Sequence, residues 1–196
     1  DYGRFVHLQG HLLVLAALAL LGIAVERASG DPRGAAFAVA AAQGVGLPVA
    51  FTEQVPAKLG PTAPALLRLA PGAPVFAKET FSALADEAVR AALLDERRID
   101  HLLLCGIETP ICIHQTSLDA RRAGIEVTLL SDVIGARRAD DAEVCLSALR
   151  AAGVHVMPSE TVFYSLLQDS CHPFFRGLTA LVKARAGDPS SAGSSL

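Results

Sequence analysis

The sequence predicts an α/β fold in which a parallel β-sheet is covered by helices on both faces. Three times along the chain, a helix-like stretch ends at a glycine and leads into a short apolar run: AAQGVGLPVAF, RRAGIEVTLL and RAAGVHVMP. Short apolar strands that alternate with helices of this length are typical of βαβ units. With 196 residues, 52% of them hydrophobic, the chain is long enough for one well-buried domain and short for two.

Composition and charge argue against a nucleic-acid-binding or metal-binding protein. The chain has 17 Lys and Arg against 20 Asp and Glu, a net charge of −3, and few aromatic residues. Because it has no basic stripe, nucleic acid is not an expected partner. The four cysteines, at positions 105, 112, 145 and 171, follow neither a CxxC nor a zinc-ligand spacing. We therefore expect no metal or other cofactor and a reducing, cytoplasmic setting.

The first apolar segment, Leu12–Val25, is predicted to be a buried strand or helix rather than a membrane span. Its fourteen residues fall short of the ~20 that a spanning helix needs. A signal peptide is the alternative, because Arg4 precedes the segment, but no clear A-x-A cleavage site follows it. Within the segment, Leu12–Leu15 is the candidate for a central strand.

The rest of the chain divides into strands and helices by hydrophobic periodicity and turn residues. Strands are expected at Leu47–Phe51, Val75–Ala77, Ile125–Leu130 and Val154–Met157, and a polar segment at Thr52–Pro64. Helices are expected at Ala35–Gln43, Ala65–Leu69, Asp86–Leu94, Asp140–Ala152, Ser159–Gln168 with Ser159 as its cap, and Pro173–Arg185. One domain would span residues 1–186, with its first strand and helix in 1–46. The Gly/Ser/Pro-rich residues 187–196 are predicted to be a disordered tail.

The stretch HLLLCGIETPICIHQTSLDARRAG, residues 101–124, contains the clearest strand-to-helix transition. Leu102–Cys105 is an apolar run short enough for a buried strand, which Gly106 is expected to end. Thr109 stands where a helix N-cap belongs. A helix should then span about Pro110–Ala123, because proline at the first helical position loses no hydrogen bond. Gly124 is expected to stop the helix as a left-handed residue.

Cys112 falls at the third position of this helix. The N–H groups of Ile111 and Cys112 are expected to lack intrahelical partners there, and the helix dipole is positive. A thiol in such a position ionises more readily and becomes a nucleophile with oxyanion donors beside it. The alternative is an inert cysteine packed in a first turn. His114 is not expected to act as its base, because a residue two positions along a helix faces elsewhere.

Reactive side chains follow three predicted strands: Glu53, Lys78 and Cys112. Ligands bind beyond the carboxyl ends of the strands in such sheets, so these residues mark a candidate site. The Lys78 ammonium would lower the thiol pKa and stabilise charge on an acyl intermediate, although a lone lysine is usually a solvated loop residue. Glu53 either binds a polar substrate group or merely ends its strand. His101 and His155 lie at strand starts and are expected to be structural or surface residues.

Several longer motifs resemble those of the isochorismatase-like cysteine hydrolases. The matching runs are FTEQVPAKLGPT at 51–62, VFAKETFSAL at 75–84, LLLCGIETPICIHQTSLDARRAGIEV at 102–127, then LLSDVIGAR, a Ser-Glu helix start at 159–160 and HPFF at 172–175. The resemblance covers about residues 47–183 and is strongest from Gly106 to Cys112. Within that superfamily, the chain is similar to the isochorismatase domain-containing branch rather than to the nicotinamidases.

The resemblance implies a three-layer α/β/α, Rossmann-like fold with a six-stranded, mainly parallel sheet, assembled into a homo-oligomer. It also implies an Asp–Lys–Cys triad, in which Cys112 is the nucleophile and Lys78 stabilises charge. A cis peptide is expected at Ile107–Glu108, with the amides of Glu108 and Cys112 as the oxyanion hole. Candidate substrate-binding residues are Glu53, Gln54, Phe76, Thr109 and Ile111. Nicotinamidases carry a metal-binding Asp/His set after the second strand, where this chain has Thr-Glu-Gln, so no metal is expected.

The first strand departs from the family pattern, which places the aspartate of the triad near its end. An ungapped alignment puts Ala16 at that place, and alanine has no proton to exchange. A second alignment, with an insertion of nine residues (16 minus 7), puts His7 there instead. The sequence thus supports two hypotheses. One is a cysteine hydrolase that acts on a small amide or related C–N substrate; the other is a degenerate relative that serves as a small-molecule-binding or oligomeric scaffold protein.

Overall fold

A single parallel β-sheet forms the centre of the computed structural model, which describes residues 12–17 and 32–187. The strands are β1 (Leu12–Ala17), β2 (Val49–Gln54), β3 (Val75–Lys78), β4 (His101–Ile107), β5 (Glu126–Gly135) and β6 (His155–Met157). Their order across the sheet is β3-β2-β1-β4-β5-β6, and every neighbouring pair is parallel. The mixed α/β fold with a parallel sheet is therefore confirmed.

Eight α-helices connect or follow these strands within the described residues. They are α1 (Pro32–Gly44), α2 (Pro56–Leu59), α3 (Pro64–Leu69), α4 (Glu87–Arg90), α5 (His114–Arg122), α6 (Ala139–Ala151), α7 (Ser159–Leu167) and α8 (Phe175–Ala186). A 3-10 turn at Ala83–Ala85 and π-helical turns at Ala91–Glu96 and Thr109–Ile113 complete the connections. Proline at the first position starts α2 and α3, and the Asp86 carboxylate caps α4 by accepting from the N–H of Val89.

Helices pack on both faces of the sheet, because alternate residues of each strand point to opposite sides. On β4, Leu103 and Cys105 join a core with side chains from α1, α7 and α8. Leu102 and Leu104 join a second core with side chains from α4, α5 and α6. These strand residues are fully buried, as expected for a sheet covered by helices on both faces.

The helices α1 and α8 meet across the phenyl ring of Phe174. The ring lies so close to Gly44 and Gly177 that a Cβ atom added at either glycine would overlap it. The HPFF motif therefore has a structural role, which is to dock the last helix on the first core.

Several sequence expectations about element ends are wrong. Gly106 does not end the strand, because its positive φ of 112° accommodates a register shift and β4 continues to Ile107. Thr109 does not cap the helix, since its hydroxyl donates to the carbonyl of Gly135. Ser159 is the first residue of α7 and not its cap, because its hydroxyl donates to Asp132. In each case a tertiary contact replaces the local one.

The expected polar segment after β2 is also partly wrong. Residues 52–54 belong to the strand, and residues 56–59 form α2. Of the first apolar segment, the structure describes only Leu12–Ala17, which is a strand as expected. The remainder of that segment, His7 and residues 188–196 lie outside the described residues. Among the described residues, no helix has the length and apolar character to cross a membrane.

Candidate active site

The candidate site lies at the carboxyl edge of the sheet, where β2, β3 and β4 end. Parallel pairing sets Gln54, the last residue of β2, opposite Lys78, the last residue of β3. The π-helical turn Thr109–Ile113 follows β4 at the same edge and carries Cys112. The sheet thus brings the lysine and the cysteine together from positions 34 residues apart.

Lys78 is buried, with 4% of its surface exposed, and its ammonium group is surrounded by acceptors. The Nζ atom donates to Gln54 Oε1 at 2.5 Å, to the carbonyl of Thr80 at 2.8 Å and to that of Phe81 at 3.1 Å. The Cys112 Sγ atom lies 3.9 Å from Nζ. The lysine expected at this edge is therefore not a solvated loop residue.

Burial lowers the pKa of Lys78 from its usual value, because the charged form loses its water. The Cys112 sulfur and the more distant Asp86 carboxylate act in the opposite direction and favour the ammonium. Within the described residues, no carboxylate forms an ion pair with Lys78. Three neutral oxygens and one sulfur thus share the solvation of this buried charge.

Gln54 holds Lys78 in place, a role that sequence reasoning missed. Its Nε2 atom donates to the carbonyl of Glu79 at 2.8 Å, which orients Oε1 toward the ammonium. The N–H of Ala83 donates to Thr116 Oγ1 at 2.9 Å and so ties the segment after β3 to α5. The Gln54 contact follows from the strand register, because the last residues of β2 and β3 are paired.

Cys112 is 8% exposed and lies in the π-helical turn rather than in a regular first helical turn. The Ile107–Glu108 peptide that precedes the turn is cis, as the family resemblance implied. The N–H groups of Ile111 and Ile113 both donate to the carbonyl of Glu108, at 3.1 and 3.2 Å. The expectation that the Ile111 N–H lacks a partner at the helix start is therefore wrong, because the carbonyl of Glu108, three residues earlier, accepts from it.

The Glu108 side chain is buried and paired. The Nε atom of Arg137 lies 2.9 Å from its Oε1 and 3.1 Å from its Oε2. Arg137 follows β5, the strand next to β4, and its side chain is itself largely exposed. This arginine is the last residue of the LLSDVIGAR run, but no sequence pattern indicated its pairing with Glu108.

The other residues named for the site have the following surroundings. Glu53 is buried, and its Oε1 accepts from the N–H of Thr62 at 2.7 Å, so it orders the loop after β2. Phe76 is partly buried and packs against the second core, while Ile111 is partly exposed. Within the described part of the chain, His114 makes no hydrogen bond to Cys112.

Two histidines lie at the opposite, amino edge of the sheet. His101 is buried, bonds Thr128 Oγ1 through Nε2 at 2.9 Å and stacks on the exposed ring of His155. Burial, followed by the neighbouring His155, lowers the pKa of His101 to about 4. Among residues 12–17 and 32–187, no group of three His, Cys, Asp or Glu side chains could hold a metal ion.

The other cysteines differ from Cys112 in their surroundings. Cys105 is fully buried in β4, and burial raises the pKa of its thiol to about 12. Burial and the nearby Asp141 also raise the pKa of Cys145. Cys171 is exposed. Only Cys112 combines a position at the carboxyl edge of the sheet with a lysine neighbour.

Ala16 lies on the central strand β1, between β2 and β4. Its Cα atom is paired with those of Phe51 and Cys105, one residue before the strand ends. Its backbone is therefore near the carboxyl edge to which the family resemblance assigned the aspartate.

Comparison with known sequences gives one family. A sequence model described as Isochorismatase domain matches residues 32–161. Isochorismatase domain-containing protein 2 of Bos taurus is 37% identical over 142 residues, which are 72% of this chain and 68% of that protein. The human protein of the same name is 35% identical over 142 residues, 72% of this chain and 67% of that protein.

Solved structures share the fold over nearly the whole chain. The MAR1 ribonuclease of Caenorhabditis elegans superposes with a TM-score of 0.81 at 25% identity and covers 96% of each chain. The ycaC gene product of Escherichia coli, described as an octameric hydrolase of unknown specificity, has a TM-score of 0.79 at 18% identity. That match covers 94% of this chain and 92% of the other.

Proposed function

This chain belongs to the isochorismatase family, in the branch of the isochorismatase domain-containing proteins. On that premise we propose that it is a cysteine hydrolase, which cleaves a small amide or related C–N substrate through a covalent intermediate on Cys112. The observation that carries the proposal is the distance of 3.9 Å between Lys78 Nζ and Cys112 Sγ at the carboxyl edge of the sheet.

In the proposed reaction, the Cys112 thiolate attacks the substrate carbonyl carbon. The Lys78 ammonium favours the thiolate and stabilises negative charge during attack. The amides of Glu108 and Cys112 are the proposed donors to the oxyanion. The C–N bond then breaks to leave a thioester on Cys112, which water hydrolyses to the acid.

The proposed substrate is a small molecule. The proposed substrate-binding residues are Glu53, Gln54, Phe76, Thr109 and Ile111. A structural relative is named a ribonuclease, but RNA binding depends on a basic surface, and this chain has a net charge of −3. We therefore propose no nucleic acid partner. Nor do we propose a metal or another cofactor, because the mechanism needs neither.

A degenerate, non-catalytic relative is the second candidate, and Ala16 is the observation that favours it. Position 16 lies on the central strand at the edge of the site, where the resemblance places an aspartate. Without that carboxylate, the chain could retain the fold as a small-molecule-binding or oligomeric scaffold protein. In both cases we propose a homo-oligomer in a reducing, cytoplasmic setting.

Activity toward a panel of small amides and related C–N compounds separates the two candidates. The wild-type chain, Cys112→Ser and Ala16→Asp should be compared, with ammonia or amine release as the readout. A hydrolase releases amine from at least one compound, and Cys112→Ser abolishes the release. Release by Ala16→Asp alone would identify a degenerate chain with the rest of its site intact. Release that persists in Cys112→Ser would refute a cysteine mechanism.

A further inference from the structure

Amide hydrolysis at this site requires two proton transfers for which the family aspartate is missing. The leaving amine must gain a proton when the C–N bond breaks, and the attacking water must lose one when the thioester is hydrolysed. Ala16, which the ungapped alignment puts at the aspartate position, can do neither, and the alternative residue, His7, lies outside the described residues. On the proposed function, another group of this chain must perform both transfers.

The carboxylates near the site are engaged elsewhere. Glu108 is paired with Arg137, and Glu53 accepts from a backbone N–H in the loop after β2. Asp86 caps α4 through a hydrogen bond to a backbone N–H. Within the described residues, none of these carboxylates hydrogen-bonds to Lys78 or Cys112. Among the described titratable groups, Lys78 is the one with a hydrogen bond to the Cys112 sulfur.

The surroundings of Lys78 suit a group that gives up and regains a proton. An ammonium has three N–H bonds, whereas four acceptors surround Nζ: Gln54 Oε1, the carbonyls of Thr80 and Phe81, and Cys112 Sγ. Two of these four acceptors must therefore share a donor. When one proton leaves, two N–H bonds remain for the closer oxygens, and a lone pair becomes available to the site.

The electrostatic surroundings of Lys78 agree with this use. Burial lowers the pKa of Lys78, and the Cys112 sulfur is the main group that opposes this shift, with Asp86 contributing less. When Cys112 is acylated, its sulfur becomes a neutral thioester and that opposition disappears. The lysine is then easier to deprotonate at the stage when water must be activated.

We propose that Lys78 is the acid–base catalyst of this chain, in addition to its role as a fixed charge. In the resting site, Cys112 is a thiolate and Lys78 an ammonium. The sulfur forms a bond to the carbonyl carbon, the C–N bond breaks, and the leaving nitrogen takes one proton from Lys78. The neutral Lys78 amine then takes a proton from water, whose oxygen attacks the thioester carbon. The C–S bond breaks, which restores both the thiolate and the ammonium.

The second half of this cycle can be measured without knowing the natural substrate. An activated ester, p-nitrophenyl acetate, acylates a reactive cysteine without needing a proton donor, because p-nitrophenolate is a good leaving group. Intact-protein mass spectrometry then follows the loss of the acetyl group with time. The chains to compare are the wild type, Lys78→Arg, which keeps the charge but cannot lose its proton, and Cys112→Ala as the control without a nucleophile.

We expect wild type and Lys78→Arg both to form the acetyl-thioester, which Cys112→Ala does not form. The thioester of Lys78→Arg should persist roughly 100-fold longer, the usual size of a lost general base. The wild-type deacylation rate should rise with pH to a plateau as Lys78 loses its proton. Adding Ala16→Asp to Lys78→Arg should restore much of the deacylation.

Two results overturn the inference and can be told apart. If Lys78→Arg deacylates within a few-fold of wild type, Lys78 supplies only charge, and the cysteine mechanism stands without this inference. If the wild type forms no adduct on Cys112, the proposed function itself fails. Should Lys78→Arg not fold, Gln54→Leu is the second variant. It removes an acceptor that favours the ammonium, so the pH range in which the deacylation rate rises must lie lower than in wild type. An unchanged pH dependence of the deacylation rate would exclude Lys78 as the titrating group.

Discussion

At the scale of single residues, burial decides which thiols can react. Cys105 has a pKa raised to about 12 and no surface exposure, whereas Cys171 is exposed. Alkylation of the folded chain at pH 8, read by peptide mapping, should therefore label Cys171 and leave Cys105 unmodified until urea unfolds the protein. Labelling of Cys105 at the rate of Cys171 in the native state would contradict the observed packing of β4.

The buried histidine at the amino edge of the sheet makes stability depend on pH. The pKa of His101 falls from 6.5 to about 4 on folding, so between these values the unfolded chain binds one more proton. The contribution of neutral His101 to the free energy of unfolding is therefore complete above pH 6.5 and decreases as pH falls toward 4. The loss is about 2 kcal/mol between pH 7.5 and pH 5.

Urea unfolding at these two pH values, with His101→Gln as the variant, measures this contribution. The variant should lose about 2 kcal/mol less than wild type on acidification. His155→Gln, which alters the exposed member of the histidine pair, should retain most of the wild-type loss. An equal loss in His101→Gln and wild type would show that another group causes the acid sensitivity.

The geometry of single side chains was the least predictable feature of the site. Cys112 and Lys78 could be proposed from sequence because each follows a strand, and strand ends meet at one edge. The contact between Gln54 and Lys78 could not, because it depends on the register of β2 and β3. Arg137 reaches Glu108 across the end of β5, a contact that no local pattern encodes.

At the scale of elements, the joint between α1 and α8 depends on two glycines. Gly44→Ala places a methyl group inside the volume of the Phe174 ring, and such overpacking typically costs about 1–3 kcal/mol. Thermal or urea unfolding should show this loss. Adding Phe174→Leu to Gly44→Ala should recover part of it, because leucine occupies less of the space between the helices. A Gly44→Ala chain as stable as wild type would contradict the close packing at this joint.

Helix and strand positions were well predicted, and their ends were not. Glycine-to-strand patterns located β2, β5 and β6 because each strand follows a helix that ends near a glycine and contains apolar residues. Thr109 and Ser159 looked like N-caps because hydroxyl residues at helix starts usually serve that purpose. In the folded chain, their hydroxyls donate to Gly135 and Asp132 on β5 instead. Local preferences yielded to tertiary hydrogen bonds that sequence alone does not reveal.

At the scale of the whole molecule, the exposed apolar side chains are consistent with the proposed homo-oligomer. Val75 and Phe81, on and just after edge strand β3, and Val144 on α6 are all exposed in the single chain. Light scattering coupled to size exclusion at micromolar concentration should give a multiple of the chain mass. A monomer under these conditions would refute the proposed assembly while leaving the site chemistry in place.

The alkylation rate of Cys112 as a function of pH tests the central claim most directly. Iodoacetamide should be added to wild type and to Lys78→Met, with the exposed Cys171 as the internal reference in each chain. If the ammonium stabilises the thiolate, wild-type Cys112 reacts faster than Cys171 at neutral pH. Lys78→Met should slow it, because the thiolate loses its neighbouring positive charge. A Cys112 that reacts no faster than Cys171, with a rate that Lys78→Met leaves unchanged, would contradict the claim that this pair forms a nucleophilic centre.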